Sequence, residues 1–235
     1  AEANAEGRDS PFFRMVNRNK KSLRLDLKQP AGVQAFLRLA ETADVIFESF
    51  RPGVVDRLGI GYDAVRAINP RIVYCAITSY GQTGPWAHYA GHDLNFIAMA
   101  GLLDQIGTQG GAPAIPGFQI GDLLGGSLTS LVGVLTAVIG AKATGQGCYV
   151  DVSMADALLA HSVLPLASVA NKDNLPPRGE GDMTGAAPGY GVYRTADERY
   201  LAIGAIESKF WRRLCHALNL PALADLALTT VDEAL

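Results

Sequence analysis

Two groups able to carry a proton stand beside glycine, each at the start of a segment with helical spacing. His92 follows Gly91, and Asp122 follows Gly121 ahead of a long apolar stretch. Histidine titrates near neutral pH, and the free amides at a helix N-terminus favour negative charge developing on an enolate or a tetrahedral oxygen. A base of this type beside a carboxylate is what proton removal next to a thioester carbonyl requires.

Each of these residues also has a structural interpretation. Asp122 is a suitable helix N-cap, and a lone histidine often satisfies local hydrogen bonds. Glu207, which follows a predicted strand, is by itself an ordinary acid. Gly125 and Gly126 leave room for a large substrate beside Asp122, so the segment is compatible with a site.

A cluster of cations can seat phosphate groups. The cluster consists of Arg14, Arg18, Lys20, Lys21, Arg24 and Lys28, and Asp26 is the one acidic residue among them. The alternative is a solvated strand edge. The formal net charge of -3 does not attract polyanions, and no aromatic residues for base stacking are interleaved, so we expect no nucleic-acid partner.

Neither a metal site nor a disulfide is predicted. His88 and His92 have Gly91 between them and no third ligand in view. Cys75, Cys148 and Cys215 form no C-x-x-C pair. Because the N-terminal residues also lack the pattern of a secretion signal, we expect a cytoplasmic protein.

The longest apolar stretch, residues 123–141, has the length of a membrane span. Glycine, serine and threonine dilute it, which favours a helix packed inside protein. We therefore expect no membrane span.

Apolar runs alternate with helical spacing along the first part of the chain. Strands are predicted at residues 22–27, 44–48, 72–77 and 149–152, with helices between them. This order predicts an α/β fold with an open parallel sheet. The Gly/Pro-rich loop 79–91 follows the third strand, where such sheets bind ligands.

The composition predicts a division of the chain after residue 170. Residues 1–170 form a large α/β domain, 171–188 a polar Gly/Pro-rich linker, and 189–235 the start of a smaller α+β domain. Within the last segment we expect a hairpin followed by a helix at residues 210–218.

Short motifs spread over residues 17–215 resemble those of the class III CoA-transferase family, also called CaiB/BaiF, and within it the α-methylacyl-CoA racemases. The motifs are Asn19-Lys20-Lys21-Ser22 with Leu25-Asp26-Leu27-Lys28, Glu48-Ser49-Phe50-Arg51-Pro52-Gly53, Ser79-Tyr80-Gly81-Gln82-Thr83-Gly84-Pro85, Gly91-His92-Asp93-Leu94-Asn95, Gly121-Asp122 and Gly204-Ala205-Ile206-Glu207.

The resemblance implies a Rossmann-like large domain, an interlocked homodimer, and an acyl-CoA or CoA substrate without a tightly bound cofactor. It implies that the CoA site is lined by Leu25, Asp26, Leu27, Lys28, Arg51, Ala90, Gly91, Asp93, Leu94 and Asn95. The family's N-terminal strand–helix unit and its C-terminal return segment are not found in these residues, so we expect a fragment of a longer chain.

For the reaction, the resemblance implies that His92 and Asp122 exchange the α-proton of a 2-methylacyl-CoA, with Glu207 beside the histidine. The alternatives are a CoA transferase in which Asp122 forms covalent intermediates, and a silent CoA-binding subunit. The acyl group stays open, because Ile106, Ile115 and Phe118 indicate either a hydrophobic acyl chain or protein core.

Overall fold

The computed structural model describes residues 9–172 and 175–226, and its centre is a parallel three-stranded sheet. The strands are β1 (Val45–Glu48), β2 (Val73–Thr78) and β3 (Tyr149–Ser153), in the order β1-β2-β3. Both pairs are parallel, with Val45 opposite Val73 and Tyr74 opposite Tyr149. The predicted parallel α/β sheet is confirmed.

Helices connect the strands and continue after them. They are α1 (Pro11–Val16), α2 (Pro30–Ala40), α3 (Val54–Arg57), α4 (Tyr62–Ile68), α5 (Asp93–Met99), α6 (Thr129–Thr144), α7 (Met154–His161), α8 (Val163–Lys172) and α9 (Ser208–Ala217). Short 3₁₀ turns occupy Leu102–Gln105 and Pro221–Leu223, and π-helical segments occupy Gly121–Leu128 and Asp182–Ala186.

Strand β2 is buried along its whole length because helices cover both faces of the sheet. Val73, Cys75 and Ile77 pack against α6, whereas Tyr74 packs with residues of α2 and α4. A strand buried on both faces reads as a continuous apolar run, which explains why this one was predictable.

Asn69 joins three segments at the edge of the sheet. Its buried side chain donates to the carbonyl oxygens of Ala40 and Ala43, both at 2.9 Å, and its Oδ1 accepts the amide of Arg71 at 3.1 Å. These bonds tie the end of α2 to the turn that starts β2.

Asn69→Ala is expected to lower the free energy of unfolding by about 2 kcal/mol, because three backbone groups lose their partner at a buried position. Chemical denaturation measures this. Asn17→Ala is the matched control, since Asn17 bonds only within its own helix end and to Lys20. An equal loss in both variants would contradict the role given to Asn69.

Residues 22–27 do not form the predicted strand. They lie outside both sheets, and Asp26 begins a turn in which its carboxylate accepts the amide of Lys28 at 3.0 Å. The turn continues directly into α2, where a Cβ on Gly32 would lie 2.0 Å from the carbonyl oxygen of Asp26. The alternation of leucine with polar residues was therefore misleading, because no strand lies alongside to pair with it.

The apolar stretch after Asp122 forms a helix from Gly121 to Thr144. By length and composition it could cross a membrane, which is weak evidence because core helices pass the same test. Only 22% of its most apolar window is buried in this chain, although Val134 and Ala141 pack into the core beside the sheet. That the helix is packed inside protein stays a prediction. The outer side chains left exposed include Leu131, Val132, Leu135 and Ile139.

The segment predicted as a linker is held against the rest of the chain. The guanidinium of Arg178 donates to the carbonyl oxygen and the carboxylate of Asp104, at 2.6 and 2.8 Å, and to the carbonyl of Gly111. The Arg178 side chain is only 12% exposed. These contacts fix the residues around Arg178 to the loop that follows α5.

Beyond this segment the predicted hairpin and helix are present. Strands β4 (Tyr190–Arg194) and β5 (Tyr200–Gly204) pair antiparallel, and α9 packs Trp211 and Cys215 against Ala224. Whether these residues form a separate domain stays a prediction. Residues 1–8 and 227–235 of the predicted domains lie outside the described residues.

Candidate functional site

A cavity of about 690 Å³ opens at the carboxyl edge of the parallel sheet. Each strand leads to residues of the cavity: Ser49 to Pro52 follow β1, Thr78 ends β2 and Ser79 follows it, and Met154 follows β3. This is the edge at which open α/β sheets bind ligands. The cavity also has the size of a typical small-molecule site.

The loop after β2 and the start of α5 bring His92 to the cavity wall, together with Tyr89, Ala90 and Gly91. The amide of His92 donates to Oδ1 of Asn95 at 3.0 Å, which fixes the first turn of α5. Gly91 is required here, because a Cβ would lie 2.6 Å from the ring of Phe96. The His92 side chain is exposed at the cavity, and the hydrogen bond of its backbone amide fixes the position of the residue.

Asp122 lines the same cavity from a π-helical turn. Its amide donates to Oδ1 of Asp93 at 2.9 Å, and the amide of Leu123 donates to the carbonyl of Gln119 at 2.9 Å. The helix begins at Gly121 and Ile120 is its N-cap, so Asp122 is not the N-cap. The expected free amides are therefore wrong for Asp122 and Leu123, whose donors are occupied.

Three influences act on the carboxyl of Asp122. Partial burial raises its pKa above the ordinary aspartate value, the negative charge of Asp93 raises it further, and His92 lowers it. Perturbed carboxyl groups in a cleft are candidates for acid–base chemistry. His92 and Asp122 are therefore electrostatically coupled across one cavity.

Gly125 is needed for packing, and Gly126 lies in close contact with the Met154 side chain. A Cβ on Gly125 would lie 2.7 Å from the carbonyl oxygen of Met154, and one on Gly126 would lie 3.1 Å from the Met154 sulfur. The room expected for a substrate at Gly125 is filled by α7. Gly126 still reaches the cavity wall, so only the second glycine borders the open space.

The chain's sequence decides its family. The sequence model of CoA-transferase family III matches residues 1–234. The chain belongs to this family.

The relatives in this family include a racemase and a CoA-transferase. Human alpha-methylacyl-CoA racemase is 37% identical over 207 residues, covering 87% of this chain and 54% of that protein. Mouse succinyl-CoA:glutarate CoA-transferase is 38% identical over 221 residues, covering 92% of this chain and 49% of that protein. The chain thus spans about half the length of these curated relatives.

Solved structures agree with the fold. A CAIB/BAIF family protein from Brucella suis superposes with a TM-score of 0.76 at 28% identity, over 93% of this chain and 58% of that chain. Rv3272 from Mycobacterium tuberculosis gives 0.74 at 34% identity, over 89% of this chain and 54% of that chain.

Of the residues predicted from the family motifs, the structure gathers five in the cavity: Arg51, Ala90, Gly91, His92 and Asp122. The side chains of Asp93 and Asn95 bond to backbone amides beside it, and Leu94 is exposed. Within the described part of the chain, Glu207 is not among the cavity residues and lies exposed at the start of α9.

The predicted CoA segment 25–28 borders a different groove. Leu27 and Lys28 line it with Arg57 from α3. Leu25 is half-buried, and Asp26 makes the turn into α2. The Arg57 guanidinium comes within 3.3 Å of the Cβ position of Gly53, so α3 connects this groove to the Arg51 segment at the cavity.

Several cavity residues were missed. Thr78, Ser127 and Met154 line the cavity, and Thr78 Oγ1 is buried with no hydrogen-bond partner within the described residues. For Thr78 and Met154 a signal existed, since both stand where a predicted strand ends. Ser127 carried none, because its position depends on the π-helical turn.

The described residues contain no group of three or more histidine, cysteine or acidic side chains able to hold a metal ion. Burial raises the pKa of the Cys75 thiol to about 11, which keeps it protonated in the core. Among the residues that line the cavity, the His92 imidazole and the Asp122 carboxyl are candidates for acid–base chemistry.

Proposed function

We propose that this chain forms part of an acyl-CoA enzyme that racemises or epimerises a 2-methylacyl-CoA by moving its α-proton between His92 and Asp122. The observation that carries the proposal is that these two side chains line one cavity, where His92 lowers the pKa of Asp122. Inversion requires proton removal on one face and return on the other, so two groups must flank the α-carbon.

In this mechanism one group acts as base while the other acts as acid. The imidazole takes the α-proton, leaving an enolate, and the protonated carboxyl of Asp122 returns a proton to the opposite face; the reverse direction exchanges the roles. The raised pKa of Asp122 supports this step, because the carboxyl then retains a proton closer to neutral pH. That Glu207 lies beside His92 also remains part of the proposal. Glu207 is not a residue of the described cavity, so this contact requires an arrangement different from the one described.

We place CoA along the route from the cavity to the groove at Lys28. Arg51 supplies a cation inside the cavity, and Lys28 and Arg57 supply two more along the groove. Phosphate groups are held by such cations, which fits the phosphates of CoA. The proposal also retains Leu25, Asp26, Leu27, Ala90, Gly91, Leu94 and Asn95 as CoA contacts, whereas the carboxylate of Asp93 is bonded to the amide of Asp122.

The transferase alternative uses Asp122 differently. Its carboxylate would attack the acyl thioester and release CoA thiolate, leaving a mixed anhydride; the thiolate would then attack the aspartyl carbonyl and release the acyl group as a carboxylate. The CoA-transferases among the relatives support this second candidate. A silent CoA-binding subunit would catalyse neither reaction.

The proposal predicts deuterium uptake at the α-carbon of a 2-methylacyl-CoA in heavy water, followed by proton NMR with the natural full-length protein. His92→Ala and Asp122→Ala should each lower the exchange rate by at least about 100-fold, because each removes one proton carrier. His88→Ala is the matched control. His88 is exposed four positions earlier and is not a cavity residue.

The second arm offers a labelled free acid together with an acyl-CoA. If the labelled acid is converted to its CoA thioester without α-proton exchange, and Asp122→Ala is inactive while His92→Ala is active, the enzyme is a transferase and the racemase proposal fails. CoA binding without either reaction would point to the silent subunit.

We further propose that the enzyme works in the cytoplasm as a homodimer. The exposed apolar side of α6 supports a covering partner, and the free cysteines Cys75, Cys148 and Cys215 are compatible with a reducing compartment. Whether the two subunits interlock is part of the same proposal.

A further inference from the structure

We propose that Asp93 is a positioning residue that holds Asp122 at the cavity wall by accepting the hydrogen bond of its backbone amide. The family resemblance implied that Asp93 lines the CoA site. The structure gives its carboxylate a protein partner instead, at 2.9 Å. This inference rests on the proposed acid–base or nucleophilic role of Asp122.

The bond is supported by the absence of a side chain at the neighbouring position. Gly121 is buried, and a Cβ there would lie 2.9 Å from Oδ1 of Asp93 and 3.3 Å from its carbonyl oxygen. Only glycine lets the Asp93 carboxylate reach the amide that follows. Two residues from separate segments therefore cooperate in one contact.

Asp93 also connects the two proposed proton carriers. It follows His92 directly in the first turn of α5, and its side chain reaches across to the backbone of Asp122. The separation between the imidazole and the carboxyl thus depends on one turn of helix and one hydrogen bond. Small errors in such a separation cost about 100-fold in rate.

The charges facing Asp122 are few. From α5 they are His92 and Asp93, and Arg51 lines the same cavity. Helix α7, packed against the π-helical turn, presents Met154 and Leu158 to its glycines. Asp151 and Asp156 lie in a neighbouring groove beside Tyr80. Asp93 is therefore the acid whose removal changes the charge around Asp122.

Two replacements separate position from charge. Asp93→Asn keeps an oxygen that can accept the amide hydrogen bond but removes the negative charge. The pKa of Asp122 should then fall, with kcat changed by about threefold or less. The limb of the kcat/KM profile that Asp122 sets should move to lower pH: the alkaline limb in the direction in which Asp122 is the acid, and the acidic limb in the direction in which it is the base. Asp93→Ala removes the acceptor, and we expect kcat to fall about 10- to 100-fold with KM nearly unchanged.

Gly121→Ala provides an independent perturbation, since its Cβ would displace the Asp93 carboxylate; it should resemble Asp93→Ala. Asp44→Asn, at the opposite end of β1, is the charge control and should leave the profile unchanged. Position 44 is exposed and its backbone only pairs with Val73. All variants are made in the natural full-length protein and checked for folding by circular dichroism.

The carboxyl titration of Asp122 is also read without substrate, by ¹³C NMR of aspartate-labelled protein with Asp122→Asn identifying the resonance. A lower Asp122 pKa in Asp93→Asn supports the inference even if the wild type shows no α-proton exchange, which would refute only the racemase proposal. An unchanged Asp122 titration and pH profile in Asp93→Asn, or full kcat in Asp93→Ala, would overturn the inference.

Discussion

Replacing Asp122 by asparagine is expected to lower kcat/KM by about 1,000-fold or more, whichever of the two candidate reactions the enzyme catalyses. An amide neither accepts and returns a proton at the α-carbon nor attacks a thioester. Steady-state kinetics with a 2-methylacyl-CoA, and with an acyl-CoA plus a free acid, measure the loss. Asp156→Asn, in the neighbouring groove, is the matched control and should keep activity within about threefold.

The same replacement should not unfold the protein. Because the pKa of Asp122 is raised by burial and by Asp93, the folded state binds this proton more tightly than the unfolded chain. Stability therefore falls as pH rises from the unfolded pKa through the folded one, and the ionised carboxylate opposes folding above that range. Asp122→Asn should melt at the wild-type temperature or higher at neutral pH. For activity, an Asp122→Asn variant that keeps a tenth of the wild-type kcat/KM would contradict the role given to Asp122.

The second large effect is expected at Phe96. Phe96→Ala should lower the free energy of unfolding by about 3–5 kcal/mol, because the ring is 2% exposed and packs with Ile97 and Leu158. The ring also meets Tyr80 edge-on, with centroids 5.8 Å apart. Chemical denaturation measures the loss, and Phe96→Leu, which keeps most of the volume, should cost about 1 kcal/mol.

Activity should fall with stability in Phe96→Ala. The ring lies 2.6 Å from the Cβ position of Gly91 and 3.4 Å from that of Gly121, so it spaces the backbone before His92 from the backbone before Asp122. We expect a lower kcat even at temperatures where the variant is fully folded. Wild-type kcat in the folded variant would show that the ring serves stability alone.

The buried strands were predictable, but their surroundings were not. Residues 72–77 form an apolar run that only a doubly covered strand explains, and β2 occupies it. Residues 22–27 have a strand-like alternation, yet pairing depends on a neighbour that local sequence cannot reveal. The apolar spacing of residues 154–170 predicts one helix, but the structure has two, α7 and α8, which meet at Ser162.

Pro165 explains that break. A continuous helix would need an amide at this position to bond four residues back, and proline has none. Within α8 it stands in the first turn, where no such bond is made. The signal was present in the sequence but was outweighed by the apolar spacing around it.

For the site, sequence motifs indicated His92 and Asp122, and the structure places both on one cavity. The contact between Asp93 and the Asp122 amide could not be predicted, because it joins segments far apart in the chain. The π-helical turn was equally hidden. Its hydroxyl bonds reach five residues back, from Ser127 to Asp122 and from Thr129 to Leu124, and no simple residue pattern announces them.

The outer side of the helix from Gly121 to Thr144 has a consequence for biosynthesis. The inner side is satisfied as soon as β2 and β3 are in place, whereas Leu131, Val132, Leu135 and Ile139 remain exposed after the sheet has formed. A nascent chain at this stage exposes an apolar stripe to the other nascent chains on the polysome. Such surfaces promote aggregation and recruit chaperones. While that stripe stays exposed, we therefore expect the folding chain to need chaperones to avoid aggregation.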